Sequence, residues 1–313
     1  MRTHESRFSA RAIFVLLPGL GLAASLLLAA PPVSEWSPPV NLGPSINSAF
    51  SDAAPALSKD GLSLYFTSGR PGGMGGNDIW VSQRSSREDP WSEPVNLGPT
   101  VNTAFNEDVP SFSRDMHTMY FNSDRPGGFG LRDIWISERV HTGDDLAWEE
   151  PVNAGPGVNS SAGDTGAGYL ENEDVGTPLL YFGSTRSGGP GLSDIYVSAQ
   201  AADGSWGPAV LVPELSSPLD DQRPNVRFDG LELFLFSNRP GGAGLTDVWV
   251  STRETNVDPW SAPVNLGPTV NSPFNDQQAF ISSDRETLLF ASNAPGGFGN
   301  LDLYMTTRDK RHD

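Results

Sequence analysis

Five times in 313 residues the chain returns to one phrase. Trp-Ser-Glu-Pro-Val-Asn-Leu-Gly-Pro stands at Trp91 to Pro99, with close copies at Trp36 to Pro44 and Trp260 to Pro268 and weaker ones from Trp148 and Trp206. The tryptophans are 55, 57, 58 and 54 residues apart. A period of about 50 residues builds a stacked or radial array in which one repeat is one supersecondary unit.

The second repeat shows what that unit is. Glu107 to Ser113 reads as a short strand running into a turn at Arg114-Asp115, and Thr118 to Ser123 as a second strand. The loop from Asp124 to Gly130 leads to a third strand, Asp133 to Ser137, and Trp148 to Asn153 reads as a short fourth. The second strand is continuously apolar at its centre (Tyr65-Phe66, Tyr120-Phe121, Tyr181-Phe182, Phe234-Leu235, Leu289-Phe290), and so is the third (Ile79-Trp80, Ile134-Trp135, Ile195-Tyr196, Val248-Trp249, Leu303-Tyr304). Unbroken apolarity means that both faces are covered. Four-stranded sheets set radially, each between two neighbours, form a β-propeller, which protects its strand edges. The predicted fold is therefore all-β, a five-bladed propeller. The chain starts on a fourth-strand phrase and stops on a third strand, so Trp36 to Leu42 should complete the last blade and close the ring. A β-solenoid has much shorter rungs.

The N-terminus reads as an export segment. Arg2, Arg7 and Arg11 precede an apolar run from Ala12 to Ala30, a positive region followed by a hydrophobic one. Residues 1–30 are expected to be a signal peptide or an N-terminal membrane anchor, and 31–313 the propeller, placed in the periplasm, cell envelope or extracellular space. The net charge of −18 becomes about −20 without that segment, which carries three arginines and one acid, Glu5. Such a surface repels nucleic acid and anionic lipid. It suits cations, basic partners or neutral glycans. With no cysteine there are no disulfides, thiolate metal sites or lipidated cysteine.

The run Pro55-Ala-Leu-Ser-Lys-Asp-Gly61, followed by Leu-Tyr-Phe-Thr-Ser and Asp-Ile-Trp-Val-Ser, resembles the WD40-like PD40 repeat of the TolB protein family and of many bacterial envelope proteins. The resemblance spans residues 36–308, in register. It implies a propeller used as an interaction or scaffold module.

Three sets of residues could carry chemistry. Asp52, Glu107, Asp164, Asp221 and Asp276 precede the five innermost strands and should gather near one mouth of the channel. There they could hold a ligand or a hard cation such as calcium, or raise one another's pKa for acid catalysis. Alternatively each caps its own loop. The glycine-rich loops, Arg70-Pro-Gly-Gly73 and its counterparts at Arg125, Arg186 and Arg239, end in Asp78, Asp133, Asp194 and Asp247; the fifth has Ala294 and ends in Asp302. No lysine or helix follows, so these are tight connections needing positive φ rather than phosphate cradles. They predict a structural Arg–Asp pair in blades one to four, absent from blade five. The third set is Asn41 and Asn47, Asn96 and Asn102, Asn153 and Asn159, and Asn265 and Asn271. With Phe129 and Phe298 these amides could bind sugars, or they satisfy turn backbone.

Nucleophilic catalysis and zinc find no support. His4, His117, His141 and His312 form no cluster, and no Gly-x-Ser-x-Gly elbow occurs. The primary expectation is an exported, monomeric, non-catalytic propeller that binds a protein or glycan of the cell envelope. It needs no cofactor beyond possible calcium, and touches a membrane only through a retained N-terminal segment. A multivalent lectin and a glycoside-acting enzyme are the alternatives. An enzyme needs two differentiated carboxylates, so a catalytic pair should involve the acids that break the repeat: Asp108, Asp220, Glu171, Glu173 and Asp174.

Overall fold

The computed structural model describes residues 35–171 and 174–309. The export segment expected over 1–30, and Glu173, lie outside the described residues. Each repeat forms one antiparallel four-stranded sheet, and the five sheets make a five-bladed propeller with no helix among the described residues. In blade two the strands are Glu107–Phe112, Thr118–Ser123, Asp133–Glu138 and Val152–Asn153, from the axis outward. The inner strand of the last blade, Asp276–Ile281, packs on that of the first, Asp52–Leu57, so the ring is closed.

Closure uses the N-terminal phrase as expected. Val40 lies opposite Met305 and Asn41 opposite Tyr304 on the last third strand, Asp302–Thr307. Ser37 N–H donates to the Thr307 carbonyl at 2.8 Å and Leu42 N–H to Leu303 at 3.0 Å. The outer strands are shorter than the sequence predicts. In blade two the regular ladder is Val152–Asn153 and not the whole of 148–153, with one separate bond from Glu149 N–H to the Glu138 carbonyl at 2.8 Å, because Pro151 has no N–H to give to the ladder. Trp148 instead turns inward and is buried.

The core lies in the seams between blades. Tyr65, Phe66, Phe121, Phe182, Phe234 and Phe290, all from second strands, are fully buried. Third strands are covered less evenly: Ile136, Val197, Val250 and Met305 are only half-buried, because the blades splay toward the rim. Every inner strand carries a β-bulge just past its first two residues. There Ala54, Val109, Gly166, Arg223 and Gln278 all have positive φ, between 48° and 70°. Five such bulges bend five strands identically around the axis. Gly166 is needed for space as well as conformation, since a Cβ there would stand 2.7 Å from the Arg223 Cα of the next blade.

Candidate active site

Inner and second strands run between two faces of the ring. One face carries the glycine loops and the connections that enter each inner strand. The five repeated acids begin those strands on this face, but they do not gather. Each is fully buried in its own blade and fully engaged. Asp52 accepts Ser48 Oγ at 2.8 Å and an Arg70 Nη2 at 2.6 Å. Glu107 accepts Thr103 Oγ1 and Ser123 Oγ, both at 2.7 Å, and pairs with Arg125 at 3.2 Å. Asp164 pairs with Arg186 at 2.6 Å, and Asp221 with Arg239. Asp276 has no arginine and is capped by Ser272 through its N–H and its Oγ. Among the described residues no group of three or more His, Asp or Glu could hold a metal ion. The capping alternative thus describes these carboxylates, and the cation ring does not form.

The Arg–acid pair therefore exists in four blades and is missing from the fifth, as the sequence predicts, but its partner is the inner-strand acid and not the loop aspartate. The loop aspartates are satisfied by backbone. Asp78 accepts Met74 N–H at 2.6 Å and Gly75 N–H at 3.3 Å, while Asn41 and Asn153 donate to Asp302 and Asp133 at 2.9 and 2.8 Å. Burial pushes Asp78, Asp194 and Asp247 above the ordinary carboxylate range. The first glycine of each loop has positive φ, as predicted. The second asparagine of each pair is buried and consumed: Asn102 donates to the Ile79 carbonyl and to Asn96 Oδ1, both at 2.9 Å, and accepts Ile79 N–H. The first is half-buried and fastens the turn through its oxygen, as Asn96 does by accepting Gly98 N–H at 2.9 Å.

What remains is a group that breaks the repeat. The residue after each repeated acid reads Ala53, Asp108, Thr165, Gln222 and Gln277. The residue opening each glycine loop reads Gly69, Asp124, Thr185, Asn238 and Asn293, and the one before the third strand Asn77, Arg132, Ser193, Thr246 and Leu301. Only blade two is charged at all three. Arg132 bonds Asp108 at 3.0 Å, and Asn122 Nδ2 donates to Asp108 at 3.0 Å. Burial pushes the Asp108 carboxyl above its usual range, outweighing Arg132 and the Asn122 hydrogen bond. Asp124 is exposed at the mouth and shifts the other way. Its slight burial works to raise it, but Asn106, which donates from both N–H and Nδ2 at 2.8 Å, and the nearby Arg132 bring it below the usual range. Beneath lies Arg223, which reaches from blade four to the carbonyls of Gln278 in blade five (2.9 Å) and Pro55 in blade one (3.1 Å). It floors the channel with positive charge. Desolvation lowers it to about 9, against the pull of Asp108.

Of the other repeat-breaking acids, Asp220 is half-buried at the mouth of blade four, where its N–H meets Asn238 Oδ1 at 3.0 Å. Glu171 and Asp174 stand at the far end of the third inner strand, away from the mouth, where Glu171 accepts Tyr169 OH at 3.1 Å. Sequence reasoning named Asp108 but missed Asp124 and Arg132. Reading the five repeats column by column would have found both.

No family model matches the sequence, and no curated protein matches it. Solved structures do. The catalytic domain of the GH62 α-L-arabinofuranosidase of Coprinopsis cinerea superposes with a TM-score of 0.60 at 14% identity, over 89% of this chain and 98% of that one. The α-L-arabinofuranosidase of Podospora anserina gives 0.59 at 11% over the same shares, and that of Lactobacillus brevis 0.57 at 15% over 84% and 92%. At these identities the likeness shows the fold. It also corrects the expectation of a non-catalytic binding scaffold, which rested on fold resemblance: these similar structures are those of glycoside hydrolases.

Proposed function

We propose that this chain is a glycoside-acting enzyme working at the blade-two mouth of the channel. The observation that carries the reading is the Asp108–Arg132–Asp124 group, in which one carboxyl is raised, its neighbour is lowered, and neither has a counterpart in the other four blades. Carboxyls whose environments drive their pKa values apart divide into acid and base. Asp108, protonated, gives its proton to the departing glycosidic oxygen. Asp124, ionised, activates water or attacks the anomeric carbon. Phe105 and Phe129, exposed on the two loops of the same blade, offer flat apolar faces to a sugar ring. The acidic, soluble surface suits a neutral glycan and not a nucleic acid. Export rests on the N-terminal segment, and the PD40-type repeat describes the scaffold rather than the chemistry.

The test is hydrolysis of 4-nitrophenyl α-L-arabinofuranoside and β-D-xyloside by the full chain. Asp108→Asn and Asp124→Asn should each lose about 100- to 10,000-fold in kcat, while Arg253→Gln on the far rim should stay near wild type. Turnover of neither glycoside, or an Asp108→Asn protein as active as wild type, overturns the reading.

A further inference from the structure

The face opposite the proposed active site carries a second repeated device. The residue after each third strand is Arg84, Arg139, Gln200, Arg253 or Arg308. Each of the four arginines lies over the tryptophan of its own blade, with the guanidinium carbon 4.2 to 4.5 Å from the ring centroid of Trp91, Trp148, Trp260 or Trp36. Each also donates through Nε to a carbonyl of the first hairpin turn, that of Gly61, Met116, Gly230 or Arg285. What meets the rest of the guanidinium differs from seam to seam. Between blades one and two, Asp145 receives Arg139 at 3.0 Å and also Tyr65 OH and Gln83 Nε2. Between blades four and five, Glu232 takes both ends of Arg308, at 2.9 and 2.6 Å. Arg253 is met by Asn256 at 2.9 Å.

Between blades five and one there is a cavity instead. Its volume is about 190 Å³, and Arg84, Arg87, Trp91 and Thr287 stand on its wall with Leu42, Leu57, Leu289 and Met305. Thr287 opens the second strand of blade five as Glu232 opens that of blade four. The threonine is thus at the position from which a carboxylate meets Arg308. Arg84 Nη1 donates to the Arg87 carbonyl at 2.6 Å, but no acceptor meets its Nη2 among the described residues. Arg87 is tied to Asp284 at 2.6 Å and Ser283 Oγ to the Lys59 carbonyl at 2.8 Å, which latches the two blades around the opening. Burial, with Arg87 nearby, pulls the Arg84 guanidinium below its usual value, against the opposing pull of Glu88 and Asp89.

We propose that this seam is a binding site for a small monocarboxylate with a short apolar tail, whose carboxylate takes on Arg84 the place that Asp145 and Glu232 hold in their seams. The guanidinium over Trp91 is held in plane to donate two parallel bonds. The leucines and Met305 cover the tail. In a chain of net charge −18, the ligand is selected by a half-buried cation on the cavity wall and not by the surface field.

The probe is hexanoate, titrated calorimetrically into the full chain against 1-hexanol. Hexanoate should bind one to one, at least about ten-fold tighter than the alcohol, whose hydroxyl makes no charge-assisted pair. Thr287→Glu, which copies blade four and supplies the missing carboxylate internally, should abolish hexanoate binding without unfolding the protein. Asp108→Asn should bind hexanoate as wild type does, so the result is independent of the glycosidase reading. Equal binding of acid and alcohol, no saturable hexanoate binding, or a Thr287→Glu protein that binds as wild type would overturn the site.

Discussion

Glu107 and Asp108 are neighbours on one strand, carry the same functional group and do opposite things. Successive side chains of a strand point to opposite faces. Glu107 points into its own blade, where two hydroxyls and Arg125 hold it, and three other blades repeat the arginine pair. Asp108 stands where the other blades have Ala53, Thr165, Gln222 and Gln277, and meets Arg132 and the Asn122 amide. An acid present in every blade is part of the scaffold. One present in a single blade, held above its normal pKa, is available for chemistry.

The comparison can be broken most sharply by activity, where Asp108→Asn should fall by orders of magnitude. A ring substitution reads out in stability instead. Arg186→Met leaves Asp164 buried and unpaired, and should cost about 3 kcal/mol or more in urea unfolding. Asp276→Asn should be milder, about 1 kcal/mol, because blade five has no arginine to strand. Equal costs at the two sites would mean that the arginines add nothing to the ring.

Smaller still is the pH effect of Asp108. Its folded pKa lies above its unfolded value, so folding favours the protonated form. That contribution is complete below the unfolded pKa and is lost as pH rises through the folded one. Wild type should therefore lose stability relative to Asp108→Asn as pH rises above about 4, the unfolded value, measured as the difference in denaturation midpoint. Parallel curves would show that Asp108 is ionised in the fold without cost. Arg132→Gln removes the nearest cation, and should move the falling limb of the activity profile to higher pH.

Much of the molecule was legible because it is written five times. Trp91 to Pro99 and its copies gave the period, the apolar centres gave the strands, and the unmatched ends gave the closure. Arg70 shows where legibility stopped. Ser68 lies opposite Asp52 on one side and Asp78 on the other, so an arginine two residues later has two aspartates in reach. Backbone N–H groups occupy Asp78, while Asp52 shares Arg70 with the Ile46 carbonyl of the entering loop. The choice is made by a loop that is remote along the chain.

The sequence by itself determined the ring, since any chain with this period and these buried centres must cover each blade with the next. Tertiary structure decided which charges are spent and which are free. A carboxylate's role depends on the donors that converge on it, and those arrive from different strands, turns and blades. For that reason Asp52 and Asp108, the same residue type at two repeat positions, became a fastener and a candidate acid. Four arginines at one repeat position, too, came to face Asp145, Asn256, Glu232 and an open cavity.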